Sequence, residues 1–218
     1  MEDVLDLYAE PEDPRYPHVC FDESPVQRTR ETRPPLPAQP GQPARYDTEY
    51  KREGTANLFL FVPPLRGWRH VNVTPQRTKA DFAEHMRRLV DAYFPTAERI
   101  RLVLDNLNTH TPAALYHGLP PAEARRIIRK LEFHYTPKHG SGLNRAECEL
   151  AVLGGQCLDR RIPSLEVLRK EIAAWQGPRN ARQTKIHWQF SNDVARTKLK
   201  RLYPTLEPTE DSASSAEA

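Results

Sequence analysis

The residues that most constrain this chain read IRLVLDN. Ile100 to Leu104 form a continuous apolar run, which fits a central strand covered on both faces. Asp105 follows at once. A carboxylate placed directly after a buried strand is half-desolvated unless something compensates it. Asn106, Asn108, Thr109 and His110 come next, an unusual polar density beside a buried element. A second strand-sized run, His18 to Asp22 (HVCFD), also ends in aspartate.

The remaining elements follow from periodicity and punctuation. Asn57–Val62 and Arg69–Thr74 are two further strands, joined by Pro63-Pro64-Leu65-Arg66-Gly67, a turn-rich link that suits a hairpin. Thr78–Tyr93 is helical, with Phe82, Met86, Leu89, Val90 and Tyr93 on one face of a 3.6-residue period. Pro121–Lys130 is a second helix and Glu132–Thr136 a fifth strand. Asn144–Cys157 is a third helix. Leu165, Leu168, Ile172 and Trp175 mark a fourth, and Asp193–Leu202 a basic fifth. Strands followed by alternating helix and strand predict an α/β fold, a mixed sheet flanked by helices with a C-terminal helical extension. In such sheets, sites lie at the carboxyl ends of the strands.

Charge is unevenly laid out. Lys plus Arg is 32 and Asp plus Glu is 29. Residues 1–13 carry six acids and no base, and residues 205–218 carry four acids and no base. The 32 bases therefore face 19 acids over residues 14–204, a net +13. A body this basic suggests a polyanionic partner, most simply nucleic acid. The end segments read as an acidic N-terminal segment, 1–17, and a disordered acidic tail, 205–218. Nine of the 21 prolines fall in the first 50 residues. Arg28–Arg45 (RTRETRPPLPAQPGQPAR) reads as a long extended loop, ordinarily a solvated linker. Three cysteines without a CxxC pair point to a reducing compartment and away from a zinc module. The longest apolar run, Leu58–Val62, is far short of the ~20 residues of a membrane helix. No secretory-signal pattern precedes Cys20. A GxGxxG after a strand and a P-loop lysine are both absent, which leaves a dinucleotide enzyme unsupported.

A third acid accompanies the two aspartates. In Leu143-Asn144-Arg145-Ala146-Glu147-Cys148-Glu149, both glutamates border the apolar stripe of Ala146, Leu150, Leu153 and Cys157. Periodicity does not choose between them. Asn144 at the N-cap with Glu147 three residues later is also a capping-box arrangement, which gives Glu147 an ordinary structural reading. Asp22 and Asp105 have one too, as turn or helix caps. Three carboxylates converging at a sheet edge would suit two-metal phosphoryl transfer.

Read together, VCFDE, LVLDNLNTH, HYTPKHGSGLNRAE and WQFSNDVARTKLKRLYP resemble the catalytic region of a DDE transposase. The resemblance is to the Tc/mariner superfamily, in its bacterial insertion-sequence (IS-six-thirty) branch, and runs from about Val19 to Pro204. It implies an RNase H-like fold over residues 18–204 and cut-and-paste DNA transposition with Mg²⁺ or Mn²⁺, two ions in all. It implies Asp22, Asp105 and Glu147 as catalytic and metal-binding residues, selecting Glu147 over Glu149. It implies supporting or DNA-binding roles for Asn106, His110, Lys138, His139, Ser141 and Asn144. The expected partners are transposon-end and target DNA and a second copy of the chain, held through a clamp-like loop at 27–50. The expected location is the bacterial cytoplasm, at the nucleoid, with no membrane.

This sequence departs from that pattern at two points. Only 21 residues precede Asp22, which leaves no room for the usual helix-turn-helix region, so a separately encoded DNA-binding half is expected. Gly142 stands where relatives carry Trp. These departures keep two rivals in play: an inactive or truncated remnant that binds DNA or oligomerises, and a hydrolytic RNase H-like nuclease that cuts without joining.

Overall fold

The computed structural model describes residues 1–138 and 140–203. IRLVL forms strand β4 (Ile100–Leu104), parallel to β1 (His18–Glu31) on one side and β5 (Leu131–Tyr135) on the other. β1 also pairs antiparallel with β2 (Tyr50–Val62), and β2 with β3 (His70–Thr74). The sheet order is β3-β2-β1-β4-β5, a mixed sheet of five strands. The β2–β3 hairpin turns at Gly67 (φ 64°), where an added Cβ would lie 2.2 Å from the Gln183 backbone. Only glycine fits that turn without strain.

β1 does not end at Asp22 as the sequence suggested. β2 continues to supply antiparallel partners as far as Glu31↔Tyr50, whereas β4 stops pairing at Cys20↔Val103. Asp22 therefore lies where β1 outruns its parallel neighbour. The same extension shortens the expected 27–50 loop. Its flanks are ladder, and the connection proper is residues 32–49, drawn together by bridges at Leu36↔Arg45 and Gln39↔Gln42. Arg161 anchors this arm through Glu31 and the carbonyls of Asp47 and Glu49. Leu36 and Tyr46 stand exposed on it.

The acidic N-terminus also folds. Helix α1 (Glu2–Ala9) buries Val4, Leu5, Leu7 and Tyr8 in the core. Its acids lie outward and reach distant elements: Glu2 pairs with Arg196 at 2.8 Å and Asp3 with His134 at 2.9 Å. Composition read the charge of this segment and missed its apolar stripe. The proposed tail, 205–218, lies outside the described residues.

Helices cover both faces of the sheet. On one face α2 (Lys79–Arg88) and α3 (Pro121–Lys130) pack Phe82, Met86 and Ile127 against Val19, Phe21, Phe61 and Leu104. Thr78 caps α2 in a full capping box with Asp81, and the predicted helix finishes in a π-turn, Leu89–Tyr93. On the other face lie α1, α4 (Arg145–Leu153), α5 (Leu165–Ala181) and α6 (Asn192–Lys198). They pack Leu5, Ala146, Leu168 and Ile172 against Cys20, Leu58, Leu60 and Val103. α4 and α6 are each shorter than expected, because a π-turn (Gly154–Leu158) and a 3₁₀ turn (Lys200–Leu202) complete the predicted spans. No helix among the described residues is long and apolar enough to cross a membrane.

Candidate functional site

Strand parity sets the geometry of the acids. Val19 and Phe21 face the α2–α3 layer, and Cys20 faces the α4 layer. Side chains alternate along a strand, so Asp22 follows Cys20 toward α4, and Glu23 follows Phe21 toward α2. On the neighbouring strand, Val103 faces α4 and Leu104 faces α2, which sends Asp105 toward α4. Cys20 and Val103 are paired, so Asp22 and Asp105 stand at the same level, two residues beyond.

The third acid arrives on α4, and Asn144 places it. Its Oδ1 accepts the Ala146 N–H at 3.1 Å, capping the helix, and its Nδ2 donates to the Phe21 carbonyl at 2.8 Å. The first turn of α4 is thus fastened to β1 one residue before Asp22. The capping box anticipated between Asn144 and Glu147 does not form: the cap goes to Ala146, and only backbone atoms join Asn144 to Glu147.

Electrostatics tie the three acids together. Burial pushes Asp22 up to about 6, and the nearby Asp105 and Glu147 carboxylates add to that rise, against the Glu23 N–H and His110. Burial acts on Asp105 in the same sense, yet its bond to His110 holds it below the ordinary range. Among the described residues, no three of His, Cys, Asp and Glu sit close enough together to hold a metal ion as they stand. Asp22, Asp105 and Glu147 therefore share one neighbourhood without closing into a ready-made cluster. Their chemistry does suit a hard divalent cation, which takes carboxylate oxygens and would relieve their mutual repulsion.

Glu149, two residues on, is committed elsewhere. It is buried and paired with Arg69 Nε at 2.7 Å and with Arg179 Nη2 at 3.0 Å. Arg145 is also buried. It has no ion pair among the described residues, and its guanidinium lies 3.7 Å from the centre of the Tyr8 ring and 5.3 Å from that of Trp188. Tyr8 in turn donates to the Leu143 carbonyl at 2.8 Å. The α1 helix thereby braces the entry to α4.

The other predicted residues divide. His110 is fully buried between Phe21 and Phe82, with Nδ1 on Asp105 Oδ1 and Nε2 3.0 Å from Glu23 Oε1. Burial works against its charge, but the two carboxylates prevail and raise it to about 9. Asn106 donates to the Thr136 carbonyl, joining the loop after β4 to the end of β5. Lys138 is exposed in the turn after β5. Ser141 opens the short turn Ser141–Leu143, and His139 lies outside the described residues. Gly142 has nothing within 4 Å of where a Cβ would sit. It borders an open apolar cavity of about 710 Å³ lined by Pro137, Leu143, Trp188 and Phe190. Sequence reasoning missed Glu23. Its signal was parity: the residue after a site aspartate on a strand faces the opposite layer, where His110 needed a partner.

The sheet order β3-β2-β1-β4-β5, with helical layers on both faces, is that of an RNase H-like fold. The family model described as DDE superfamily endonuclease matches residues 17–169, and the chain belongs to that family. DDE-type endonucleases use divalent metal ions. Among solved structures, the Mos1 mariner paired-end complex with Mn aligns at a TM-score of 0.55 and 18% identity, over 83% of this chain and 54% of that one. The Mos1 strand transfer complex aligns at 0.54 and 18%, over 80% and 50%. The Mos1 paired-end complex with the left transposon end aligns at 0.51 and 17%, over 78% and 51%. At this identity the likeness is one of fold, and the chain spans about half the length of the Mos1 chains. No curated protein matches it.

Proposed function

We propose that this chain is the catalytic domain of a transposase that cuts DNA at the ends of an element and joins the freed 3′-hydroxyl to target DNA. The observation that supports the reading is that Asp22 lies near enough to Asp105 and Glu147 for both carboxylates to add to the rise that burial gives it. These three residues would hold the metal, two Mg²⁺ or Mn²⁺ ions. Bound there, the ions would activate the attacking oxygen and stabilise the leaving one.

The chain's own residues supply the rest. Asn144 holds Glu147's helix to Asp22's strand. His110 holds one oxygen of Asp105. No covalent protein intermediate is needed. The basic body between the acidic ends suits the DNA backbone, with Lys138, His139 and Ser141 as candidate contacts beside α4. Transposon ends are a proposed partner by analogy with the Mos1 paired-end complex, and target DNA is the partner that joining would require. The exposed arm of β1 and β2 suits a homodimer contact, and a separately encoded helix-turn-helix half would supply end recognition. The motifs DN-x-x-x-H and HGS-x-LN-x-x-E favour the IS-six-thirty branch and so a bacterial cytoplasm.

The test is cutting and joining of DNA by the purified chain with Mn²⁺, beside Asp105→Asn. Loss of several kcal/mol of transition-state stabilisation corresponds to a fall of about 10³-fold or more. An Asp105→Asn chain that cuts at the wild-type rate refutes the assignment. Cutting without joined products moves the reading to a plain nuclease.

A further inference from the structure

Asp22 and Glu23 are neighbours on β1 with opposite tasks. Asp22 faces α4 and the other site acids. Glu23 faces the α2 layer, and its side chain is only 2% exposed. His110 lies beneath it, fully buried, edge-on to Phe21 at 5.2 Å and stacked on Phe82 at 5.1 Å. The ring is thus held by a stacked contact with Phe82 and an edge contact with Phe21. Its two nitrogens are spoken for, Nε2 by Glu23 Oε1 at 3.0 Å and Nδ1 by Asp105 Oδ1. The Tyr135 hydroxyl donates to the His110 carbonyl at 2.8 Å, which fixes the backbone as well. Arg77, at 4.0 Å from Oε2, is the one other charged group paired with Glu23 among the described residues.

We infer that Glu23 is a positioning residue for the DDE site: through the imidazole of His110 it fixes the rotamer of Asp105, keeping one carboxylate oxygen occupied and the other presented to a metal. The inference rests on the proposed role of Asp105. Glu23 itself touches neither metal nor DNA. Groups that orient a ligand from behind its first contact alter metal affinity by about 10–100-fold when removed. In the usual arrangement a carboxylate orients a histidine ligand. Here the order is extended by one group, and a carboxylate orients a histidine that orients a carboxylate.

The experiment separates the hydrogen bond from the charge. Mn²⁺ binding to the intact chain is titrated by the loss of free-ion electron paramagnetic resonance signal, with no DNA present. Glu23→Gln keeps an oxygen that accepts from His110 but removes the charge. Glu23→Asp keeps the charge but draws the oxygen back by one methylene, beyond His110's reach. The expected result is near wild-type affinity for Glu23→Gln and about tenfold weaker binding for Glu23→Asp, with both chains folded by thermal melt. A Gln variant that binds as weakly as the Asp variant overturns the inference, as does wild-type binding by both. Asp105→Asn runs alongside. If it binds Mn²⁺ as the wild type does, the metal site itself is misplaced. If Asp105→Asn loses binding while both Glu23 variants keep it, the site stands and Glu23's role falls.

Discussion

Two elements of this protein each carry a pair of acids, and the pairs are resolved alike. On β1, Asp22 lies near Asp105 and Glu147 in the proposed site, while Glu23 is held by His110. On α4, Glu147 borders the site while Glu149 is held by Arg69 and Arg179. The periods differ, two residues on the strand and 3.6 on the helix, so the separating step is one residue in the first case and two in the second. The outcome is the same. One acid of each pair is compensated by a buried base, and the other lies toward the proposed site. Glu23 and Glu149 are sealed against buried bases, whereas Asp22 and Glu147 are only half-buried.

This contrast can be strained from its compensated side first. Glu149→Gln leaves the fully buried Arg69 without its carboxylate. Breaking a buried pair in this way costs about 3–5 kcal/mol, read as a shift in the denaturation midpoint. A loss under 1 kcal/mol would mean that Thr184, Gly67 and Asn180, which also bond Arg69, suffice to hold it.

Acid should strike the same layer. Burial, then the charges of Arg145 and Arg101, hold His18 down to about 4 from its ordinary 6.5. Its Nε2 is buried without a hydrogen-bond partner among the described residues. Between pH 6.5 and 4 the unfolded chain binds a proton here that the folded chain refuses. Stability is then complete above 6.5 and falls as pH drops toward 4, by about 3 kcal/mol in all. Denaturant midpoints across that range, compared with those of His18→Asn, isolate the contribution. An identical slope in the variant would assign the loss to other groups.

The smallest expected effect concerns the fastening of α4. Asn144→Ala removes a cap and the bond to the Phe21 carbonyl, costing about 1–2 kcal/mol. It should also weaken Mn²⁺ binding, because Glu147 loses its tie to β1. A variant with unchanged Mn²⁺ affinity would show that packing of Ala146 and Leu153 alone sets the helix.

Much of this was legible beforehand, for reasons the residues make plain. β4 and α3 appear at their predicted bounds because IRLVL has one compatible environment and Pro121 fixes a helix start. β1 and β2 were cut short because their outer halves, SPVQRTRE and YKREGTA, are polar ribbon held by pairing, and pairing leaves no apolar run to read. α1 was lost under its own charge. At the site, Asp22 and Asp105 were read from the ends of apolar runs and Glu147 was selected by motif resemblance, while Glu149's pairing depends on Arg69 and Arg179, residues 80 and 30 positions away. Partnerships that distant leave no local trace. Glu23's link to His110 is of the same kind.

The central claim is that metal belongs to Glu147, with Asp22 and Asp105, and not to Glu149. It is tested most directly by titrating Mn²⁺ into Glu147→Gln and Glu149→Gln at a temperature where both are folded. The account predicts that Glu149→Gln, though less stable, binds Mn²⁺ with wild-type affinity, and that Glu147→Gln binds at least about tenfold more weakly. Retained binding in Glu147→Gln together with its loss in Glu149→Gln would contradict the account.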